Sequence, residues 1–371
     1  MSEKVETINL SREQQAIVEA TENKIVVVAT AAAGKTRCIT ERVRWLLNQG
    51  VEPEKIVAIT FTNAAAEEIS ERLGNPSGVF IGTIHSLANH YLRKAGINTE
   101  KILRDEKFDD LFKLIAQHPE CVDEVEHLIV DESQDSSPIQ FKFLLDIIQP
   151  KNYMLMGDHR QSIYRFADAH PDFLIGLMNN LDVTVYNLTE NYRNAPEILD
   201  FAKALILPLG YEYKDNSVPM YTKVRGRVVD VDYSPDGIAK TIQRYAEEGK
   251  SEYSDWFVLT RTNAQLAEIQ SYLESYQIPC DTFKKAQLDN KGLKDKMKEN
   301  TVKVLTIHTA KGLEARNVVV IGARWHDIEE RCINYVAATR AKELLVWTTK
   351  KTKYGRKKKT SYGPRTTNWG G

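Results

Sequence analysis

Cysteine is scarce in this chain. There are four in 371 residues (Cys38, Cys121, Cys280 and Cys332), and no two form a C-x-x-C pair. That spacing excludes a disulfide framework, a zinc finger or an iron–sulfur cluster as the organising feature, and makes the reducing cytoplasm the expected compartment. Long hydrophobic runs are also missing. The longest are strand-sized, so no transmembrane helix and no membrane partner are expected, and the opening MSEKVETINL has no signal-peptide core. Charge of one sign does not dominate either, with 50 Lys and Arg against 51 Asp and Glu. A uniformly basic, polyanion-binding surface is thereby excluded, and nucleic acid would have to be held in a local groove. The one exception is the stretch from Lys350 onward, with eight basic and no acidic residues, rich in Gly, Ser and Thr. It reads as a disordered basic tail over 350–371, a solubilising end or a phosphate-binding arm. Glycine is sparse where a phosphate-binding loop would want it: ATAAAGKT at 29–36 contains only Gly34.

That loop is nevertheless set correctly. A β-branched strand (KIVVV, 24–28) precedes it and a helical stretch to about Asn48 follows. Strand, loop and helix in this order let backbone N–H groups and a helix N-terminus face an anion. Ala31, Ala32, Ala33 and Gly34 would line the cradle, Lys35 would reach the terminal phosphates, and the Thr36 hydroxyl would help hold Mg²⁺. The strict pattern fails at Ala29, and any loop alanine forced to positive φ costs about 1 kcal/mol. Further on, the apolar run HLIV enters DESQD at 131–135. A strand ending in paired carboxylates beside ATP has a defined use: Asp131 for Mg²⁺ and Glu132 to orient or deprotonate a water. A third strand ends in Gly157-Asp158, with Gln161 three residues on.

Strands and helices alternate along the chain: strands near 56–60, 79–82, 127–131, 153–157 and 183–187, then 226–232, 256–260, 302–306, 317–321 and 344–348, with helices between most of them. The alternation predicts parallel, doubly wound sheets with ligands at the strands' carboxyl ends. The length and the two series of elements predict two α/β domains, 1–187 and 188–349, with the basic tail beyond. No sequence repeat is apparent, and 284–300 reads as a polar loop or short helix.

Other segments gain meaning together: Gln14 in LSREQQAI, FTNAAAEEISERL (61–73), GTIHSL (82–87), LTENYRN (188–194), LTRTNAQ (259–265), VLTIHTAKGLEA (304–315) and YVAATRA (335–341). In this order and spacing, from about Leu10 to Trp347, the chain resembles the UvrD/Rep/PcrA-type superfamily 1 DNA helicases. The resemblance implies two RecA-like P-loop NTPase domains with an ATP site in the cleft between them. It also implies an ATP-dependent translocase or helicase on single-stranded DNA or a single/double-strand junction, moving 3′→5′. A monomer served by a loading or stimulating protein is expected.

Carried over motif by motif, Gln14 would read the adenine, with Arg37 and Tyr192 near the base and Glu314 at the ribose. Gln161 would sense the γ-phosphate, and Arg193 and Arg340 would be arginine fingers. A planar guanidinium suits the negative charge that builds on equatorial oxygens during phosphoryl transfer. Phe61, Tyr164 and Phe166 would form base pockets, and Thr62, Asn63, His85, Asn263 and His308 would contact the strand. Single strands are held this way, by aromatic stacking together with backbone contacts.

The departures are specific. The family loop is close to AGAGSGKT, whereas Thr30, Ala32 and Ala33 replace its Gly, Gly and Ser here. Ala167 stands where an Arg is usual, and Ala315 where a Phe is usual. Only about 37 residues separate Arg93 from Asp131, and under 30 separate Leu273 from Val302. Both accessory subdomains are thus expected to be absent or vestigial, leaving a motor core that translocates but unwinds duplex poorly alone. Two other readings stand beside this one: a P-loop remodeller of protein, and an ATP-switched single-strand-binding module.

Overall fold

A computed structural model describes residues 9–283, 295–322 and 327–349, and divides the chain into two units, Met1–Thr189 and Glu190–Gly371. The basic tail, and residues 284–294 of the polar stretch, lie outside the described residues.

The first unit is built on six strands: β1 (Lys24–Ala29), β2 (Ile56–Thr60), β3 (Phe80–Thr83), β4 (His127–Val130), β5 (Asn152–Gly157) and β6 (Thr184–Leu188). They lie in the order β3-β2-β4-β5-β1-β6, and every pairing is parallel. Strands of a parallel sheet covered on both faces read as continuous apolar runs, and those of β1, β2 and β4 do so. The period of two then sorts their side chains between two cores. Val26, Val28, Val57 and Ile59 pack on one face with Leu87, Phe112 and Leu155. Ile25, Val27, Ile56 and Ala58 pack on the other with Ile39, Val43 and Met156.

The short segment between Arg93 and Asp131 forms helices Glu100–Arg104 and Asp109–Gln117. Leu111, Phe112 and Ile115 on the second helix are fully buried in the first of those cores. This segment closes the sheet's face. The stretch between β4 and β5 is α-helical over Pro138–Phe141 and widens to a π-helix over Lys142–Ile147, with the Ile148 N–H bonded to the Phe143 carbonyl.

The second unit opens on two short paired strands, β7 (Glu190–Asn191) and β8 (Val218–Pro219). Its main sheet comprises β9 (Arg227–Asp232), β10 (Trp256–Thr260), β11 (Cys280–Thr282), β12 (Val302–Thr306), β13 (Ala315–Val320) and β14 (Ala341–Thr349). The order is β11-β12-β10-β13-β14-β9, again wholly parallel. Between β11 and β12 the chain has no room for a further domain, in keeping with the short interval in the sequence. Among the described residues no helix is long and apolar enough to cross a membrane.

A local repeat that the sequence reading missed appears in three dimensions. β2 runs into Phe61-Thr62-Asn63 and β10 into Arg261-Thr262-Asn263. In both, the strand's last threonine bonds the carbonyl two residues on (Thr60 to Thr62, 2.9 Å; Thr260 to Thr262, 3.2 Å). In both, Thr62 or Thr262 caps the next helix. The shared signal is an apolar strand followed by T-x-T-N-A.

Candidate nucleotide and nucleic-acid site

Strand order decides what comes together in the first unit. β4, β5, β1 and β6 are consecutive neighbours, so the segments leaving their carboxyl ends lie side by side. These are Asp131-Glu132, Asp158–Gln161, the loop 29–36 and Leu188-Thr189.

The loop turns through two left-handed residues, Ala32 at φ 57° and Gly34 at φ 84°. The expected alanine strain therefore falls on Ala32, at about 1 kcal/mol. Gly34 has a second reason to be glycine, since a Cβ there would stand 2.6 Å from Nε2 of Gln14. That amide donates to the Ala33 carbonyl at 3.2 Å, which places the expected adenine reader directly on the loop. Helix Lys35–Asn48 then begins with no side-chain cap and no acidic residue in its first turn. Its leading N–H groups and the positive end of its dipole are thus open to an anion, and Lys35, Thr36 and Arg37 sit on that turn. This donor set fits a nucleotide's phosphates.

Lys35 Nζ donates to Glu132 Oε1 at 2.5 Å. Burial alone would lower the Lys35 pKa, but attraction to Glu132 and then Asp131, the Glu132 hydrogen bond and Asp158 raise it instead. Glu132 itself is left-handed at φ 49°, a strain of the kind that collects at functional sites. Asp131 accepts from the Glu132 N–H at 2.8 Å, which fixes its carboxylate against the backbone of its neighbour.

Behind them lies a buried polar network. Gln134 Nε2 donates to Glu132 Oε2 (2.5 Å), and Gln134 Oε1 accepts from the Asp158 N–H (3.0 Å). Asp158 takes Arg160 Nε on one oxygen (2.5 Å) and Gln161 Nε2 on the other (2.8 Å). Burial would raise the Asp158 carboxyl, yet Arg160 and His159 hold it lowered and therefore charged. Gln161, the expected γ-phosphate sensor, is in this way tied to Glu132 through Asp158 and Gln134. Reading the sequence missed Gln134 as the connecting residue. The available signal was DESQD itself, which repeats a polar side chain two residues after the glutamate.

The three aromatics expected to hold bases cluster. Phe61 stacks on Tyr164 (centroids 5.0 Å, planes 26° apart), and Tyr164 meets Phe166 edge-on at 5.8 Å. Tyr164 is buried, while Phe61 is 40 % and Phe166 75 % exposed, so Tyr164 is the base of a platform whose outer rings face solvent. Thr62 spends its hydroxyl capping helix Asn63–Leu73 and Asn63 is exposed beside it. His85 lies between the rings of Phe108 (5.3 Å) and Phe112 (5.2 Å), and burial lowers its pKa, which favours the neutral imidazole.

In the second unit, Arg193 pairs with Glu314 and donates to the Thr339 carbonyl (3.2 Å). Lys342 holds the other oxygen of Glu314 at 2.6 Å. Burial would raise the Glu314 carboxyl, but Arg193 and Lys342 bring it down to about 2. Arg340 is 2 % exposed and donates to the carbonyls of Val336 (3.0 Å) and Leu313 (3.2 Å). Tyr192 is exposed and bonds Glu190, Asn263 is exposed at its helix start, and His308 is half-buried on the turn after β12.

A phosphate loop after β1, with an acidic pair on the next strand but one, defines a P-loop NTPase fold, here with a second unit of matching parallel architecture. Comparison with known families narrows this. Residues 10–121 and 106–182 match the UvrD/REP helicase N-terminal domain, and 186–291 and 281–352 match the UvrD-like helicase C-terminal domain. The chain belongs to the UvrD/REP helicase family, and its two units are RecA-like domains. A probable DNA helicase of Mycoplasma pneumoniae is 25% identical over 456 residues, covering 91% of this chain and 82% of that protein. The ATP-dependent DNA helicase PcrA of Leuconostoc citreum is 25% identical over 75% of this chain and 50% of its own length. The ATP-dependent DNA helicase Rep of Escherichia coli is 24% identical over 73% and 55%. The chain thus spans about half the length of most of these relatives. The alignment with the Mycoplasma protein runs over more positions than this chain has residues, so that relative carries sequence missing here.

Proposed function

We propose that this protein is an ATP-dependent motor on single-stranded DNA, with Mg²⁺ as the metal. The observation that carries the reading is the Lys35–Glu132 contact and the buried network that continues from it to Gln161.

MgATP supplies the phosphoanhydride whose cleavage drives the cycle. The N–H groups of loop 31–37 and the Lys35 ammonium hold phosphate oxygens, and Gln14 reads the base beside Arg37. Thr36 and Asp131 would hold the metal, which would neutralise charge on the phosphates. Glu132 takes the proton of the attacking water, and Gln161, its amide fixed by Asp158, orients that water. For Arg193 or Arg340 to serve as an arginine finger, its guanidinium would turn at least one N–H toward the phosphates, while Arg193 now bonds Glu314 and the Thr339 carbonyl and Arg340 the Val336 and Leu313 carbonyls. Glu314 would otherwise meet the ribose and Tyr192 the base. Phe61, Tyr164 and Phe166 grip the strand by stacking, with Thr62, Asn63, His85, Asn263 and His308 along it. The 3′→5′ direction, a monomeric form, junction binding and a loading protein follow the family resemblance, and a cytoplasmic compartment follows the scarce, unpaired cysteines. Poor unaided unwinding follows the short intervals where accessory subdomains would stand.

The test is ATPase activity with no nucleic acid, single-stranded DNA, duplex and RNA, run beside strand displacement. Strong stimulation by single-stranded DNA with weak displacement is expected. Lack of stimulation by any single strand would sink the motor reading and favour a remodeller of protein. A wild type that binds but does not hydrolyse ATP would favour the switched binding module.

A further inference from the structure

Thr30 replaces a small loop residue, and its hydroxyl has a definite partner. The Thr30 N–H donates to the Leu188 carbonyl at 3.0 Å, extending the β1–β6 ladder by one bond beyond Ala29. Its Oγ1 donates to the same oxygen at 3.1 Å, from a buried position. On the next residue, Glu13 accepts from the Thr189 N–H on one carboxylate oxygen and from the Thr189 hydroxyl on the other, both at 2.6 Å. Glu13 directly precedes Gln14, which rests on the loop carbonyl of Ala33. Their helix, Arg12–Val18, is fastened at its far end by Arg42 of the phosphate-loop helix, which donates to the carbonyls of Val18 (2.8 Å) and Ala20 (2.6 Å).

Leu188-Thr189 is where the chain leaves the first unit, four residues before Arg193. The loop that would hold phosphates and the helix that would hold the base therefore close on one dipeptide from two directions. We propose that Thr30 and Glu13 are positioning residues that couple nucleotide binding to this exit segment, and through it to Tyr192 and Arg193. Neither has to touch the nucleotide. Any shift of the loop or of Gln14 moves a hydrogen bond whose other end is Leu188 or Thr189, and the Glu13 bonds are charge-assisted and so resist breaking. The inference rests on the ATP-driven reading above.

Hydrogen exchange of residues 186–194 in the full chain, with and without a non-hydrolysable ATP analogue, tests it without DNA or turnover. In the wild type the analogue should slow exchange at Thr189 and its neighbours by about tenfold, the scale of one charge-assisted hydrogen bond. In Thr30→Val, which keeps only the main-chain bond to Leu188, and in Glu13→Gln, which keeps one acceptor oxygen and loses the charge, that response should shrink severalfold while analogue affinity holds, and Thr30→Ser should retain it. In DNA-stimulated ATPase assays the KM for ATP should hold while kcat falls. An exchange response equal in wild type and both variants would overturn the coupling, as would a wild type that binds the analogue without any response. A chain that binds no analogue would instead remove the ATP reading itself, and the coupling with it. Because Glu13→Gln alters no buried loop packing, it keeps the test sound should Thr30→Val fold poorly.

Discussion

Lys35 and Glu132 are 97 residues apart in the chain, yet the ammonium of one donates to the carboxylate of the other at 2.5 Å. The cation that would hold the phosphates and the base that would activate water are thus positioned by each other. Removing either should damage hydrolysis in a different way. Lys35→Ala should abolish both ATP binding and turnover. Glu132→Gln keeps the acceptor oxygen and the shape, so it should still bind ATP while kcat falls about 10²–10⁴-fold, the usual worth of a general base. Equilibrium nucleotide binding measured beside phosphate release separates the two.

Gly157 should tolerate no side chain. A Cβ there would come within 2.6 Å of Gln134 Oε1 and 2.7 Å of Ser133 Oγ. Gly157→Ala should therefore lower stability by about 1–3 kcal/mol and displace the network behind Glu132. Thermal unfolding and ATPase activity should both fall, whereas Gly176→Ala, with open space around its Cβ position, should leave the ATPase unaltered.

Phe166 makes the opposite case. At 75 % exposure it contributes little to the core, so Phe166→Ala should leave the melting temperature near that of the wild type. Single-stranded DNA binding should weaken by about 1–3 kcal/mol, the worth of one stacked base. Fluorescence anisotropy with a labelled oligonucleotide checks this, and unchanged affinity would remove Phe166 from the base platform.

Acid should weaken the second unit at Glu314. Its folded carboxyl sits at about 2 against an ordinary 4.5, so its pairing with Arg193 and Lys342 stabilises the fold fully above about 4.5. That contribution is lost as pH falls from 4.5 toward 2. Chemical denaturation at a series of pH values should show a steeper loss for the wild type across this window than for Glu314→Gln. Parallel curves would mean the pair contributes nothing.

Much of the fold was legible because strands buried on both faces announce themselves as unbroken apolar runs, as KIVVVA, IVAIT and HLIV do. The placement of Lys35, Thr36, Asp131 and Glu132 just beyond strand ends was legible for a related reason, since each follows its apolar strand directly in the chain. The caps were legible in principle too, and so were the twin T-x-T-N turns at 60–63 and 260–263, yet a five-residue likeness two hundred residues apart passed unnoticed until both were seen to make the same hydrogen bond.

What the amino-acid sequence determined by itself was the set of elements, the family they belong to and which polar residues stand just beyond the strand ends. Which of those residues meet was decided by the order of strands in a parallel sheet. β1 lies between β5 and β6, and only for that reason does Thr30 find Leu188, 158 residues away, and Lys35 lie close enough to Asp158 to feel its charge. Local propensity carries no record of such neighbours. They are set by how apolar faces close on one another, and the buried polar groups must then pair with whatever that closure brings beside them.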